Sequence, residues 1–407
     1  MINLKILLLG KGVANNGCER LLKKHNIDYD YLEKNEVQIS DYDLIVKSPG
    51  IPLDDIVFTK IKGKVITDIE LAYRLEKPNL IGVTGSNGKT TVVTMLAHVL
   101  KSKYNTIACG NIGYSICDAL VDHPNMDFYI VELSSFQLEG VTSVDFMISC
   151  ILNISLCHID HHKSFDSYIE SKLNICKYQG YNHYFVYNAK EPYFDGIRKK
   201  TNAKCIDFSY HSTIHRIYFL NGYIYKGAKK IYRVRKNANK LTIENILACL
   251  TIASVLNVDI KSVAKKIRTY KKEKYRLEEI RKCIFNDAKS TNCASTECAL
   301  ESLRNVILIC GGYDRSIEIN LSKVARDNIE IVLCYGQTKQ LVKNYFEKYS
   351  IPVLIFDKLK DAVIFALKIK KENTILYSPM FASFDQYKSY IERGLEFEKL
   401  INNYYEK

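Results

Sequence analysis

At 407 residues the chain is long enough for two or three domains, and 47% hydrophobic with 25% charged residues is the composition of a globular protein. Apolar runs such as 6–9 and 363–367 are too short to span a bilayer, and the opening segment lacks a signal-peptide pattern, so a cytoplasmic protein without membrane insertion is expected. The charge of +13 suits polyanionic ligands, but the lysines form no basic stripe interleaved with aromatics, which argues against nucleic acid. Thirteen cysteines, an odd number without C-x-x-C spacing, read as reduced core residues.

Strand-like apolar runs alternate with helical patterns along the whole chain, which predicts an α/β architecture with largely parallel sheets. A first unit, residues 1–77, opens with a strand over 5–9 and the turn Gly10-Lys11-Gly12. It includes an apolar run over 43–46 before Ser48-Pro49-Gly50, and closes where Pro78 breaks a helix over 69–75. A second unit, 78–272, begins with a strand over 80–83 and contains a tyrosine-rich, β-like insert near 181–235. A third, 273–407, has strands expected at 283–286, 305–310, 329–334, 352–356 and 374–377, and a last helix over 385–400.

The strand at 80–83 runs into Thr84-Gly85-Ser86-Asn87-Gly88-Lys89-Thr90-Thr91 and then a helix. Strand, glycine-rich turn and helix N-terminus are the parts of a phosphate cradle. Backbone N–H groups and the helix dipole meet the anion, Lys89 neutralises it, and Thr90 supplies a hydroxyl for Mg²⁺. The strict G-x-x-x-x-G-K-[ST] pattern fails by one place, because Val83 stands where its first glycine belongs. Magnesium also needs a carboxylate, and Glu132 ends the neighbouring apolar run 128–131. Lys172 lies three residues after Ile169 and four after Tyr168, on their apolar helix face, where desolvation favours a neutral amine. The cluster His158-Ile159-Asp160-His161-His162 invites a zinc reading, ranked lower because a phosphate loop needs a hard cation; His161 and His162 read as loop histidines.

Glu132-Leu133-Ser134-Ser135-Phe136-Gln137-Leu138-Glu139 is similar to a signature of the Mur ligase family, in its D-glutamate-adding branch. The loop 84–90, Gly110-Asn111-Ile112-Gly113, Asn286-Asp287-Ala288-Lys289-Ser290-Thr291 and Ser378-Pro379-Met380-Phe381-Ala382-Ser383 with Arg393-Gly394 resemble further family segments, in the family's order. The resemblance implies three domains: an N-terminal Rossmann-like UDP-binding domain, a central P-loop ATPase-type domain and a C-terminal Rossmann-like domain. It implies an ATP-dependent ligase working through an acyl phosphate on UDP-N-acetylmuramoyl-L-alanine and D-glutamate, acting as a monomer.

Carried onto this sequence, the resemblance makes Lys89, Glu132, His158, Lys172 and Lys289 the catalytic set. Thr84 to Thr91, Asn245, Arg276 and Asp287 are implied for ATP. Two Mg²⁺ sites are implied, from Thr90, Glu132, His158 and a carbamylated Lys172. Gly10, Gly12, Ser48, Pro49, Gly50, Asn111 and Ser134 are implied for the UDP substrate, and Thr291, Arg315, Ser383 and Tyr390 for D-glutamate.

Some features depart from the family. The first domain looks short, Asn15 takes the place of a third glycine after Gly10 and Gly12, and no acidic and basic pair stands out after the second strand. Asn239 to Asn245 keeps only its last asparagine. Rival readings are a sister ligase, of another Mur or folylpolyglutamate type, and a nucleotide-binding scaffold that has lost catalysis.

Overall fold

The computed structural model describes residues 4–154, 162–190, 200–211, 213, 216–235, 238, 240–270, 274–291, 293–301, 303–314 and 319–406. It divides into two compact units, Met1–Tyr270 and Lys271–Lys407. The first holds two sheets and the second one, each mostly parallel, in keeping with the three-part α/β architecture expected.

The N-terminal sheet comprises β1 (Ile6–Leu9), β2 (Tyr29–Leu32), β3 (Ser40–Lys47) and β4 (Ile61–Ile66), all parallel, in the order β2-β1-β3-β4. β1 is apolar at every position because both its faces are covered: Ile6 and Leu8 pack with Leu21 and Leu22, and Leu7 and Leu9 with Ile45, Val57 and Ile61. The helices here are α1 (Val13–Lys24) and α2 (Asp68–Glu76). α2 ends on Lys77 in the left-handed region (φ 48°), with Pro78 next.

The central sheet comprises β5 (Leu80–Thr84), β6 (Thr106–Gly110), β7 (Phe128–Glu132), β8 (Ile148–Ile151), β9 (Tyr184–Asn188), β10 (Lys204–Ser209), β11 (Ile217–Leu220), β12 (Tyr223–Lys226) and β13 (Lys229–Arg233). Its order is β13-β12-β11-β10-β9-β8-β5-β7-β6, parallel from β6 to β11 and finished by the antiparallel pairs β11-β12-β13. The tyrosine-rich insert is thus an extension of the central sheet. Around it lie α3 (Lys89–Leu100), α4 (Ile116–Asp122), α5 (Ser135–Leu138), α6 (Phe165–Lys177), α7 (Lys240–Val255) and α8 (Ile260–Thr269). α7 is apolar nearly all round and buried from Ile243 to Ser254, as an internal helix must be.

The strand order reverses at β5, which has β7 on one side and β8 on the other. In open α/β sheets such a reversal leaves a crevice at the carboxyl ends of the strands, where ligands bind. The loop after β5 is the phosphate-loop sequence.

The second unit comprises β14 (Glu278–Arg281), β15 (Ile284–Asn286), β16 (Val306–Gly311), β17 (Ile329–Tyr335), β18 (Val353–Ile355) and β19 (Thr374–Tyr377), ordered β14-β15-β19-β16-β17-β18. β14 is antiparallel and the others are parallel. Its helices are α9 (Cys293–Glu301), α10 (Lys323–Asp327), α11 (Lys339–Glu347), α12 (Leu359–Ile369) and α13 (Tyr390–Tyr405). α13 begins later than expected, because Ser389 caps it by accepting from the N–H of Glu392 at 3.2 Å.

Candidate active site

The phosphate loop is held open by backbone conformations that glycine allows. Gly85 (φ 154°) passes so close to the chain after β8 that a Cβ would lie 3.1 Å from Leu152 and 3.2 Å from the Asn153 carbonyl. Gly88 (φ 85°) caps α3, and a Cβ there would collide with Asn245 Oδ1 at 2.2 Å. Val83 is buried in β5, so the close approach falls to Gly85, two places later than in the strict motif. Asn153 clasps the loop from the side: its Oδ1 accepts from Asn87 N–H (2.8 Å) and its Nδ2 donates to the Asn87 carbonyl (3.0 Å). Lys89 folds back over the loop, donating to the carbonyls of Gly85 (2.8 Å) and Ser86 (3.0 Å). Thr91 follows in the first turn of α3.

Thr90 donates its hydroxyl to Glu132 at 2.5 Å, both groups buried. Gly110 lets β6 approach the end of β7, so that Asn111 N–H reaches the Glu132 carbonyl (2.9 Å) and Asn111 Nδ2 lies 3.5 Å from its carboxylate. Lys172, 2% exposed on α6, donates to the Gly85 carbonyl (3.2 Å) and to Thr84 Oγ1 (3.4 Å), with Nζ 4.6 Å from the Tyr168 ring centre. The Tyr168 hydroxyl lies 3.0 Å from Ser86 Oγ. Thr90 and Glu132 are hard oxygen donors, a set that fits Mg²⁺. Asn245 Oδ1 is buried beside the loop with no partner among the described residues, as fits a group awaiting a ligand. His158, the remaining metal candidate, lies outside the described residues.

The string 132–139 proves partly architectural. Ser134 and Gln137 form a capping box at α5, and Gln137 Nε2 donates to both oxygens of Asp68 at the start of α2 (3.1 and 3.0 Å). His162, expected in a loop, is instead buried between Ser135 Oγ (2.9 Å) and Ser171 Oγ (3.2 Å), its ring stacked on Phe136.

In the N-terminal sheet, Gly10 and Gly12 face Ser48: Cβ atoms there would lie 3.2 Å from Ser48 Cβ and 3.8 Å from Ser48 Oγ. Pro49 and Gly50 continue this turn. Asn15 has a positive role in place of the missing glycine, its Nδ2 donating to the carbonyls of Leu9, Gly10 and Val46 at the ends of β1 and β3. Close helix packing falls to Gly17, where a Cβ would sit 2.0 Å from Ser115 Oγ, the cap of α4. An acid and a base do follow the second strand. Glu33 comes directly after β2, accepts from Lys11 N–H in the glycine turn (3.2 Å), and is followed by Lys34.

In the second unit, the segment after β15 is laced to the segment after β19. Ser378 Oγ donates to Asp287 (2.7 Å) and Met380 N–H to the Ser290 carbonyl (3.0 Å), while buried Arg393 reaches the carbonyls of Ala288 (3.2 Å) and Phe381 (2.8 Å). Lys289 and Tyr390 meet at this seam, Nζ to ring centre 5.8 Å, and Ser383 is buried in the same loop. Thr291 ends the β15 segment; Arg315 lies outside the described residues. Asp287, expected to reach the nucleotide, has its carboxylate occupied here by Ser290 Oγ (2.6 Å), Ser378 Oγ and Leu277 N–H (2.9 Å). Tyr275 and Leu277, on either side of Arg276, both have positive φ (64° and 43°), a strained geometry that the bond from Leu277 to Asp287 helps to hold.

Residues 83–253 match the family model described as the Mur ligase middle domain. A UDP-N-acetylmuramoylalanine–D-glutamate ligase of Francisella philomiragia is 33% identical, covering 98% of this chain and 96% of its own. The enzyme of the same name from Caldanaerobacter subterraneus is 32% identical over 93% of this chain and 88% of its own. The chain belongs to the UDP-N-acetylmuramoylalanine–D-glutamate ligase family. Among solved structures, a pseudomurein peptide ligase type C from Methanothermus fervidus shares the fold of this family member with a TM-score of 0.59 and 17% identity, over 98% of this chain and 99% of that one.

Within this family member Asp287 carries a measurable signature. Burial pushes its carboxyl from 3.8 up to about 6, against the hydrogen bonds that favour the ion. A carboxyl raised in the folded state contributes stability that is complete below its unfolded pKa and is lost as pH rises through its folded one. The shift corresponds to about 3 kcal/mol lost between about pH 4 and pH 7. In urea denaturation across that window, the stability of the wild type relative to Asp287→Asn should fall as pH rises. Parallel curves for the two proteins would contradict the assignment.

Proposed function

We propose that this chain is an ATP-dependent ligase that joins D-glutamate to UDP-N-acetylmuramoyl-L-alanine, in peptidoglycan precursor synthesis. Kinship with ligases of that name supports the reaction. The single structural observation that carries it is the phosphate loop at the sheet's reversal point, with Thr90 bonded to Glu132 and Lys172 buried against Gly85.

The reaction must first bring two anions together, a carboxylate and a triphosphate, so cations set its rate. The substrate carboxylate attacks the γ-phosphorus, the bond to ADP breaks, and an acyl phosphate forms. The amine of D-glutamate then attacks the acyl carbon, loses a proton, and expels phosphate. Lys89 and the N–H groups at the start of α3 bind the phosphates. Mg²⁺, held by Thr90 and Glu132, would supply charge neutralisation at the transferring phosphoryl group. His158 and a carbamylated Lys172 are the residues we assign to a second Mg²⁺.

On this reading Gly10, Gly12, Ser48, Pro49 and Gly50 bind the UDP group, joined by Glu33 and Lys34, with Asn111 and Ser134 on the muramoyl side. Asn245, Arg276 and Asp287 serve ATP, Lys289 the phosphoryl group, and Thr291, Arg315, Ser383 and Tyr390 D-glutamate. Functional boundaries at residues 77 and 272, a monomeric state and a cytoplasmic location complete the proposal. Among the described residues no helix is long and apolar enough to cross a membrane.

Phosphate release from ATP by the purified protein should require UDP-N-acetylmuramoyl-L-alanine and D-glutamate together. Equal release with meso-diaminopimelate or L-lysine in place of D-glutamate would overturn the assignment of the acceptor.

A further inference from the structure

Beneath the Ser48–Gly50 turn lies a buried charge cluster that the phosphate-loop chemistry does not use. Lys47, the last residue of β3, is wholly buried, and its Nζ donates to the carbonyls of Ile51 (2.9 Å) and Pro49 (3.4 Å). The ammonium therefore draws the turn around itself. An ammonium without water costs several kcal/mol unless an anion faces it. The anion within ion-pair range is Glu139, whose Oε2 lies 3.9 Å from Lys47 Nζ, with Asp68 also acting on the charge. Burial pulls the Lys47 amine below its ordinary range, and Glu139, with Asp68, acts in the opposite direction, favouring the charge.

Glu139 is not part of the N-terminal sheet. It follows α5 in the central half of this unit, and its Oε1 is 3.0 Å from His162 Nδ1. His162 Nε2 is in turn 2.9 Å from Ser135 Oγ, next to Ser134. One carboxylate thus joins the Ser48–Gly50 turn to the element that carries Ser134 and Ser135.

We propose that Glu139 is a positioning residue for the UDP-sugar substrate: as counter-ion of Lys47 and partner of His162, it fixes the Ser48–Gly50 turn in register with the Ser134–Ser135 element. The two sides of the UDP-sugar site are thereby presented in one geometry before substrate arrives. This rests on the function proposed above. The phosphate loop has its own supports, Asn153 and the backbone conformations of Gly85 and Gly88, so the effect falls on one substrate and spares the other.

Steady-state kinetics of the full chain test it, with UDP-N-acetylmuramoyl-L-alanine and ATP varied separately. Glu139→Gln should raise KM for the UDP-sugar by about tenfold and leave KM for ATP and kcat within about twofold, and Glu139→Asp should recover part of the loss. If Glu139→Gln leaves an uncompensated ammonium and fails to fold, Lys47→Gln/Glu139→Gln removes both charges; it should fold and keep the raised KM. An unmoved KM for the UDP-sugar, a KM for ATP that rises in step, or a double variant with wild-type KM overturns the inference alone. Wild-type protein inert toward the UDP-sugar overturns the proposed function and this inference with it.

Discussion

Lys172→Ala should lose turnover by about a thousandfold or more while the protein still folds, and small carboxylates added to the assay should restore part of it. Lys172 is 2% exposed, its Nζ set against the Gly85 carbonyl at the phosphate loop and over the Tyr168 ring. On the proposed function the neutral amine would add to CO₂: the N–C bond forms, one N–H proton leaves to solvent, and the neutral amine becomes an anionic carbamate. On that same reading, the carbamate oxygens would be a hard ligand set beside Thr84 and Gly85. Alanine removes the amine and leaves a space that a formate-sized or acetate-sized anion can enter. Undiminished activity in the variant would remove the carbamate from the mechanism. Full loss without any rescue would leave Lys172 as a packing or charge residue.

The second large effect is expected at Lys89. Lys89→Ala should lower kcat/KM for ATP by about a thousandfold, with the thermal midpoint moved by only a few degrees. Its Nζ now bridges the Gly85 and Ser86 carbonyls at the loop rim. The same reach places it to meet phosphate oxygens, and charge on the transferring group is greatest where two anions converge. The loop itself is fixed by Gly85, Gly88 and Asn153, so its shape does not depend on the lysine. A loss of less than about tenfold would show that Lys89 has no part in phosphoryl transfer.

Much of this was legible in the sequence, for identifiable reasons. Strands such as β1 and β16 are apolar at every position because parallel strands are covered on both faces, and such runs stand out. β14 (Glu278–Arg281) was missed because it is a charged, antiparallel edge strand without that signal. α13 begins at Tyr390 rather than at 385, because Ser389 with Glu392 three residues later marks its start.

The phosphate loop was readable because its parts are contiguous. What holds it was not, since Asn153 reaches Asn87 across a separation of 66 residues. The same limit hid the bond from Gln137 to Asp68 and the charge pair of Lys47 and Glu139, each made between residues far apart in the chain. Asn15 looked like a defect in a glycine pattern, because a pattern records a missing glycine and not the three carbonyls its replacement holds. Asp287 was read as a nucleotide contact from its motif alone. Of its three donors, Ser378 comes alongside only once β15 and β19 are paired.

The account stands or falls on nucleotide binding at the loop 84–91, and a calorimetric titration of the full chain with ADP in excess magnesium tests this most directly. Saturable binding at one site per chain is predicted, weakened by at least about tenfold in Lys89→Ala and lost on removing magnesium. Wild-type protein that takes up no adenine nucleotide under those conditions would contradict the account.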